Sequence, residues 1–248
     1  VGKIVVRPAT AATDAATAGR FPVDAAGQHV VIGGTSGFGL ATAGWLVSRG
    51  ATQLVLASRS GQLSSEARLQ VEAMRQAGVD VRVAAVDVTN PPALQRLLRS
   101  LPARGPIKGI VHAAMELDDR LIVNMDREGI DKVLQPKVTG ALHLTEAARD
   151  LSLDYLLFYS SATTLLGNPG QFNYVAANGF LEGLAQQGRL EGLPTLAIAW
   201  GGIEDAGYLS RNLSANASLR KRFASSMITA ETAFSALDLA CDSDGRLT

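Results

Sequence analysis

A doubly wound α/β fold, with a parallel sheet flanked by helices on both faces, is predicted by three features of the 248-residue sequence. Short apolar runs rich in β-branched residues recur along the chain: HVVIGG from His29, QLVLAS from Gln53, VRVAAVD from Val81, IKGIVHAA from Ile107, DYLLFYSS from Asp154 and TLAIAWGG from Thr195. Each is followed by a stretch of helical composition, as expected when parallel strands are joined by crossover helices and buried on both faces. The first run ends in GGTSGFG, a glycine turn opening a helix. No internal repeat of fixed period is present.

The first of these runs starts only near residue 28. VGKIVVRP predicts a short strand over residues 1–8, ended by Pro8, and residues 9–27, rich in Ala, Thr and Gly without apolar periodicity, read as a linker. A chain that opens in mid-strand and runs into a linker reads as a piece of something longer. Residues 28–248 then form one domain, large enough to bury a core.

Composition narrows the class of partner. The chain is 47% hydrophobic and 19% charged, with 23 basic against 23 acidic side chains. Zero net charge and the lack of basic clusters argue against a nucleic-acid or anionic-membrane surface. Cys241 is the single cysteine, so no internal disulfide forms, and no spaced Cys and His groups suggest a metal site. A reducing, cytoplasmic compartment is expected. No apolar run reaches the roughly 20 residues that span a bilayer, and the N-terminus lacks the regions of a signal peptide.

Gly33, Gly37 and Gly39 follow the first strand in a G-x-x-x-G-x-G arrangement. Glycines let the backbone turn sharply beside a pyrophosphate, and the helix that follows offers free N–H groups and a partial positive charge. The second strand ends in Ser58, Arg59 and Ser60, where an NAD site would place an acidic residue for the ribose 2′-hydroxyl. Arg59 instead suits a 2′-phosphate, so NADPH is the expected cofactor, with a solvated surface arginine as the alternative. Asp87, ending the third strand, is placed either to bond the adenine edge or to cap the next helix.

Hydride transfer to a carbonyl needs a proton donor for the developing alkoxide. QFNYVAANGFL sets Tyr174 and Asn178 one helical turn apart, without the lysine that many short-chain reductases carry four residues after the tyrosine. A tyrosine with an ordinary pKa of ~10 needs a nearby cation to relay protons near neutrality. The lysines are Lys3, Lys108, Lys132, Lys137 and Lys221, and only Lys132 and Lys137 fall in the helical segment after the fourth strand, which can face the cleft. His112, inside a strand, is expected to pack and hydrogen-bond rather than act as a base, and Trp200 to be core or pocket wall.

From about residue 28 to 240 the chain resembles the ketoreductase domains of modular polyketide synthases, atypical short-chain dehydrogenases/reductases with a Rossmann-like sheet. GGTSGFG, SRSG, HAA, LDD, PKVTGALHL, SSATTLLGNPGQFNYVAANGFL and AIAWGG occur in the family's order and spacing. In that family the lysine comes from the helix after the fourth strand and the asparagine follows the tyrosine by four. The resemblance thus implies a catalytic set of Ser161, Tyr174, Lys137 and Asn178. Tyr174 would donate the proton, Lys137 lower its pKa and hold the nicotinamide ribose, Ser161 bond the oxyanion, and Asn178 orient the lysine directly or through a water. It implies an NADPH site of Gly33, Thr35, Ser36, Gly37, Phe38, Gly39, Ser58, Arg59, Ser60, Asp87, Val88, Ala113 and Lys137.

The resemblance also implies a carrier-protein-bound β-ketoacyl substrate and a D (3R) hydroxyl product. Leu117, Asp118 and Asp119 match the LDD motif of that product class, and Gln171 is expected to help orient the substrate. Leu166 stands where the opposite class has tryptophan, and Ala176 where α-epimerising members have proline. Residues 201–223 correspond to a lid. Adjacent synthase domains are implied partners: residues 1–8 resemble the closing strand of an enoyl reductase domain, and the family's N-terminal structural subdomain is absent. Met115 and Glu116 depart from the family, which usually has glycine after HAA, and the bulkier Met115 is expected to narrow the cleft. A free-standing carbonyl or sugar-nucleotide reductase or epimerase, and a non-catalytic scaffold half, are the alternatives; the exchanged lysine and asparagine count against the first, and the intact motifs against the second.

Overall fold

The computed structural model describes residues 20–207 and 227–241. The strand expected over residues 1–8, the first eleven residues of the expected linker, Lys3, Lys221, most of the expected lid and the final GRLT lie outside the described residues.

All six expected strands form: β1 (Gln28–Ile32), β2 (Gln53–Ser58), β3 (Asp80–Ala85), β4 (Ile107–His112), β5 (Tyr155–Ser161) and β6 (Thr195–Trp200). They make one parallel sheet in the order β3-β2-β1-β4-β5-β6. The order reverses between β1 and β4, and ligands of such sheets bind in the crevice at that point, beyond the carboxyl ends of the strands. Ile32 pairs in register with Ala57 and His112, and Ser161 with Trp200, so the ends that carry the motifs lie side by side.

Helices cover both faces: α1 (Gly37–Ser48), α2 (Ser65–Gln76), α3 (Pro91–Ser100), α4 (Arg127–Leu134), α5 (Gly140–Ala148), the short α6 (Thr163–Leu166), α7 (Phe172–Leu190) and α8 (Ala230–Ser235). Neighbouring strand residues point to opposite faces, so Val31, Leu54, Leu56 and Leu157 pack with Leu40 and Leu46 of α1 and Val71 of α2. On the other face Val30, Ile32, Ile110 and Phe158 pack with Leu94 and Leu97 of α3, Leu144 of α5 and Leu181 of α7. A two-residue parallel pair, β7 (Gly202–Ile203) with β8 (Met227–Ile228), flanks the sheet. Among the described residues no helix is long and apolar enough to cross a membrane.

Residues 20–27 correct the expected linker at its end. Phe21 is 2% exposed, with its ring 4.8 Å from Tyr155 and 5.2 Å from Trp45. Its backbone N–H donates to Asp238, and Asp24 supplies a carbonyl to His29. One aromatic without periodic neighbours gave no pattern to read, yet it anchors the entry to β1.

Asp87 does not cap a helix. Its carboxylate accepts from the backbone N–H and hydroxyl of Thr89 in a local turn, while Asn90 caps α3 by accepting from Ala93, with Pro91 and Pro92 preset for the first turn.

Between α4 and α5 the helix continues through a π-helical turn, Gln135–Thr139. Pro136 lacks an N–H and cannot sit in an ordinary α-helical ladder, so the turn widens there. Lys137 follows directly.

Candidate active site

A cleft of about 1450 Å³ opens over the carboxyl ends of the strands. Its floor is the turn from Gly33 to Gly39. Gly33 has a φ of +84°, and a Cβ on it would come 2.7 Å from the Ala114 nitrogen. At Gly39 a Cβ would strike the Gly33 carbonyl. Only glycine fits these two positions, and the result is a cradle at the start of α1. Ser36 enters α1 in extended backbone without a side-chain cap, so first-turn N–H groups remain for an anion. This cradle fits a dinucleotide pyrophosphate. Thr35, Ser36, Gly37, Phe38 and Gly39 all line the cleft, although the Phe38 ring is also stacked on Phe234 at 5.0 Å.

Along the same cleft lie Ser58, Arg59, Ser60, Asp87, Val88 and Ala113. The Ser58 and Ser60 hydroxyls accept from the N–H groups of Gly61 and Gln62, which shapes the turn after β2. Arg59 stands largely free of the surface, and its guanidinium is paired with Glu116 at 3.1 Å.

At the other end of the cleft, β5, α7 and the π-helical turn bring Ser161, Tyr174 and Lys137 together. Lys137 is 2% exposed. Its ammonium donates to the Tyr159 carbonyl at 2.7 Å and lies 5.3 Å from the centre of the Tyr174 ring. Burial pushes the Lys137 pKa down to about 7, because a desolvated ammonium is costly. The Tyr174 phenol is raised above its ordinary value, chiefly by desolvation, opposed by the polar side chains of the nearby Asn178 and Ser161. Tyr174 is only half-buried by exposed area, but its surroundings are crowded enough for desolvation to lead. The lowering expected from Lys137 does not govern the Tyr174 phenol here: burial leads, and what opposes it comes from Asn178 and Ser161.

Ser161 accepts from the Thr163 N–H and hydroxyl at 3.3 and 3.0 Å, which leaves its own proton for a ligand. Asn178 is fully buried and lies behind the cleft. Its amide donates to the Tyr174 carbonyl at 2.8 Å, while its Oδ1 is buried without a hydrogen-bond partner. The lysine is held by Tyr159 rather than directly by Asn178. His112 is buried, its imidazole pushed down to about 3 first by desolvation and then by Lys137, and it contacts the Lys137 carbonyl at 3.4 Å. A histidine so held stays neutral and packs, as expected.

The LDD stretch divides. Leu117 and Asp119 line the cleft, and Asp118 does not. Asp118 accepts from Arg120 at 2.6 Å and from Lys132 at 3.3 Å, and these cations hold its carboxyl below the usual range. Asp119 accepts from the Gln171 amide at 2.9 Å, so the loop is tied to the start of α7, three residues before Tyr174.

The KR domain family matches residues 27–205, nearly all of this sheet and cleft. The chain belongs to the KR domain family. It is 36% identical over 202 residues to the reducing polyketide synthase DEP5 of Alternaria brassicicola, covering 82% of this chain and 8% of that protein. It is 37% identical over 216 residues to the mycoketide-CoA synthase of Mycobacterium tuberculosis, covering 87% of the chain and 5% of the synthase. The KR domain therefore spans a small fraction of the curated relatives it matches. Among solved structures, an A1-type ketoreductase superposes with a TM-score of 0.82 at 32% identity, over 93% of this chain and 48% of that one. A-type ketoreductases from a modular polyketide synthase give 0.81 at 33%, over 89% and 46%.

Four further residues of this KR domain shape the site. Met115 places its sulfur 3.9 Å from the Tyr174 hydroxyl. Glu116 pairs with Arg59. Asn173, fully buried, donates to the carbonyls of Asp118 and Gly129 and accepts from the Tyr174 N–H, fastening the LDD loop and α4 to α7. Glu182 accepts from the hydroxyls of Ser160 and Thr164 at 2.7 and 2.8 Å, clamping the residues around Ser161 to α7. Glu182 lies four residues after Asn178, and that helical spacing is a signal by which it could have been found.

Proposed function

We propose that this KR domain catalyses NADPH-dependent reduction of a β-ketoacyl thioester, carried on an acyl carrier protein, to the D (3R) β-hydroxyacyl thioester. The convergence of Ser161, Tyr174 and Lys137 on one end of the cleft that begins at the glycine cradle carries this reading. A nicotinamide held in that cleft supplies the hydride.

The chain's own residues do the rest. Ser161 donates to the ketone oxygen and fixes its position, and the Tyr174 hydroxyl passes its proton to the same oxygen as charge develops. The Lys137 ammonium, 5.3 Å from the centre of the Tyr174 ring, favours the phenolate that is left when the proton has gone. Asn178 holds the Tyr174 turn of α7 in place. Arg59 supports the choice of a 2′-phosphorylated cofactor, since the end of β2 carries Ser58, Arg59 and Ser60 and not the acidic residue that a ribose 2′-hydroxyl would call for. Relatives many times longer than this chain support a substrate delivered by neighbouring synthase domains.

Following NADPH oxidation with a β-ketoacyl N-acetylcysteamine thioester tests this reading. Turnover with formation of the hydroxy thioester is expected, and no consumption of NADPH with any such thioester would overturn it.

A further inference from the structure

Met115 lines the cleft beside the Tyr174 hydroxyl. The Tyr174 hydroxyl donates to its sulfur at 3.9 Å, and Met115 lines the cleft with 41% of its surface exposed. A ketone receiving the tyrosine proton must take over that hydrogen bond, with its oxygen about 2.6–3.2 Å from the phenol. Thioether and ketone therefore compete for one donor. A thioether is a weak acceptor on a flexible chain, so its hydrogen bond yields easily. Its volume does not.

The backbone that carries Met115 has little room to retreat. On its C-terminal side Glu116 is paired with Arg59, Asp118 with Arg120 and Lys132, and Asp119 with Gln171. On its N-terminal side Ala113 continues the β4 ladder by donating to the Ile32 carbonyl. A ligand at Tyr174 must fit around the Met115 side chain as it swings.

We propose that Met115 is a specificity-determining residue, closing the space above the Tyr174 hydroxyl so that β-ketoacyl thioesters without an α-substituent are reduced in preference to α-methyl ones. The inference rests on the reductase reading above. Both neighbours of the ketone carbon are chain carbons, and a branch on the α carbon adds a group one atom further out, between the ketone and the thioester. Met115, 3.9 Å from the hydroxyl that the ketone must approach, borders that added group. In a confined apolar site one carbon of extra bulk discriminates by about 10- to 200-fold.

The test compares kcat/KM for a matched pair of N-acetylcysteamine thioesters, with and without an α-methyl group, in the parent and in Met115→Ala and Met115→Leu. The parent should favour the unbranched substrate by about tenfold or more. Met115→Ala should bring the ratio to within about threefold of unity by raising the branched rate, Met115→Leu should keep it, and NADPH affinity by fluorescence should stay unchanged. A ratio that stays put in Met115→Ala, or a parent that does not discriminate, overturns the proposal. A second readout does not need turnover. The ¹³C-methyl resonance of Met115, assigned by its loss in Met115→Leu, should shift when Tyr174 is changed to Phe. If neither thioester is reduced by any of the proteins, the reductase reading falls, and an unshifted resonance overturns the placement of Met115 as well.

Discussion

Arg59 and Glu116 join two strand ends across the cofactor cleft, guanidinium to carboxylate at 3.1 Å. Arg59 follows β2 and Glu116 follows β4, with β1 between them. An exposed pair of this kind contributes little to stability. Its consequence is for binding, because Glu116 occupies the cation that a 2′-phosphate would use.

Glu116→Gln should therefore tighten NADPH by about twofold to fivefold and leave NADH unchanged, a gain of the size of one exposed charge pair. Arg59→Ala should weaken NADPH alone. Fluorescence titration with both cofactors checks this, and equal shifts for the two would remove Arg59 from the 2′-phosphate site.

Burial of Lys137 predicts a pH dependence of stability. With a pKa of about 7 in the fold against an ordinary 10.5, the ammonium is charged in both folded and unfolded chains below pH 7, and its burial cost is then fully present. Between these values the unfolded chain holds the proton more tightly, so this group makes the protein more stable as pH rises through that window. Urea unfolding at steps from pH 7 to 9.5 should show the rise, and Lys137→Met should lack it. An identical slope in the variant would mean that the lysine is not desolvated.

How far the sequence carries depends on what each residue contacts. Strands buried on both faces leave continuous apolar runs, so all six were legible, as was the glycine turn whose backbone admits no Cβ at Gly33 or Gly39. Lys137 was different. Physical reasoning left Lys132 and Lys137 as alternatives, and only the family resemblance chose between them. The π-helical turn that aims Lys137 follows from Pro136, but a proline in a helical stretch equally signals a break. Asn173 acts through contacts distant in sequence that leave no local pattern. Met115 and the helical spacing of Glu182 were visible in the sequence but their partners were not, and Asp118, carried over with the LDD motif as substrate-orienting, anchors its loop from outside the cleft.

Glu182 predicts a positioning effect. Glu182→Ala would remove one acceptor from each of the Ser160 and Thr164 hydroxyls, which keep the Asn178 and Ser161 carbonyls at 3.4 and 3.0 Å. It should cost about 1 kcal/mol in stability and loosen the turn that holds Ser161. We expect kcat to fall by about tenfold or more with NADPH affinity unchanged. Glu182→Gln keeps an acceptor oxygen and should restore most of kcat. If the glutamine variant fails as badly as alanine while remaining folded, the carboxylate has some role other than accepting these bonds.

Tyr174→Phe keeps the ring against Lys137 and removes the proton donor. Cofactor binding should survive and reduction should fall by about 100-fold or more. Activity above about a tenth of the parent would assign the proton transfer elsewhere.

Product configuration is the last expectation. Leu117 and Asp119 face the cleft, and Asp119 is tied through Gln171 to the turn that leads into Tyr174. Asp118 and Asn173 hold the same loop from behind, through Arg120, Lys132 and the Asp118 carbonyl. A loop anchored at so many points offers a thioester one wall that does not move, and a fixed wall beside a fixed proton donor admits the ketone in one orientation. A 100-fold preference between orientations needs only about 2.7 kcal/mol, within reach of a few contacts. Chiral chromatography of the reduced thioester should give a D alcohol. Asp118→Ala should lower the D:L ratio by about tenfold while leaving NADPH affinity intact, because it frees the wall and touches neither the cradle nor Arg59. A predominantly L alcohol from the parent would mean that another part of the cleft sets the orientation, and an unchanged ratio in Asp118→Ala would mean that the anchoring of the loop is not what selects it.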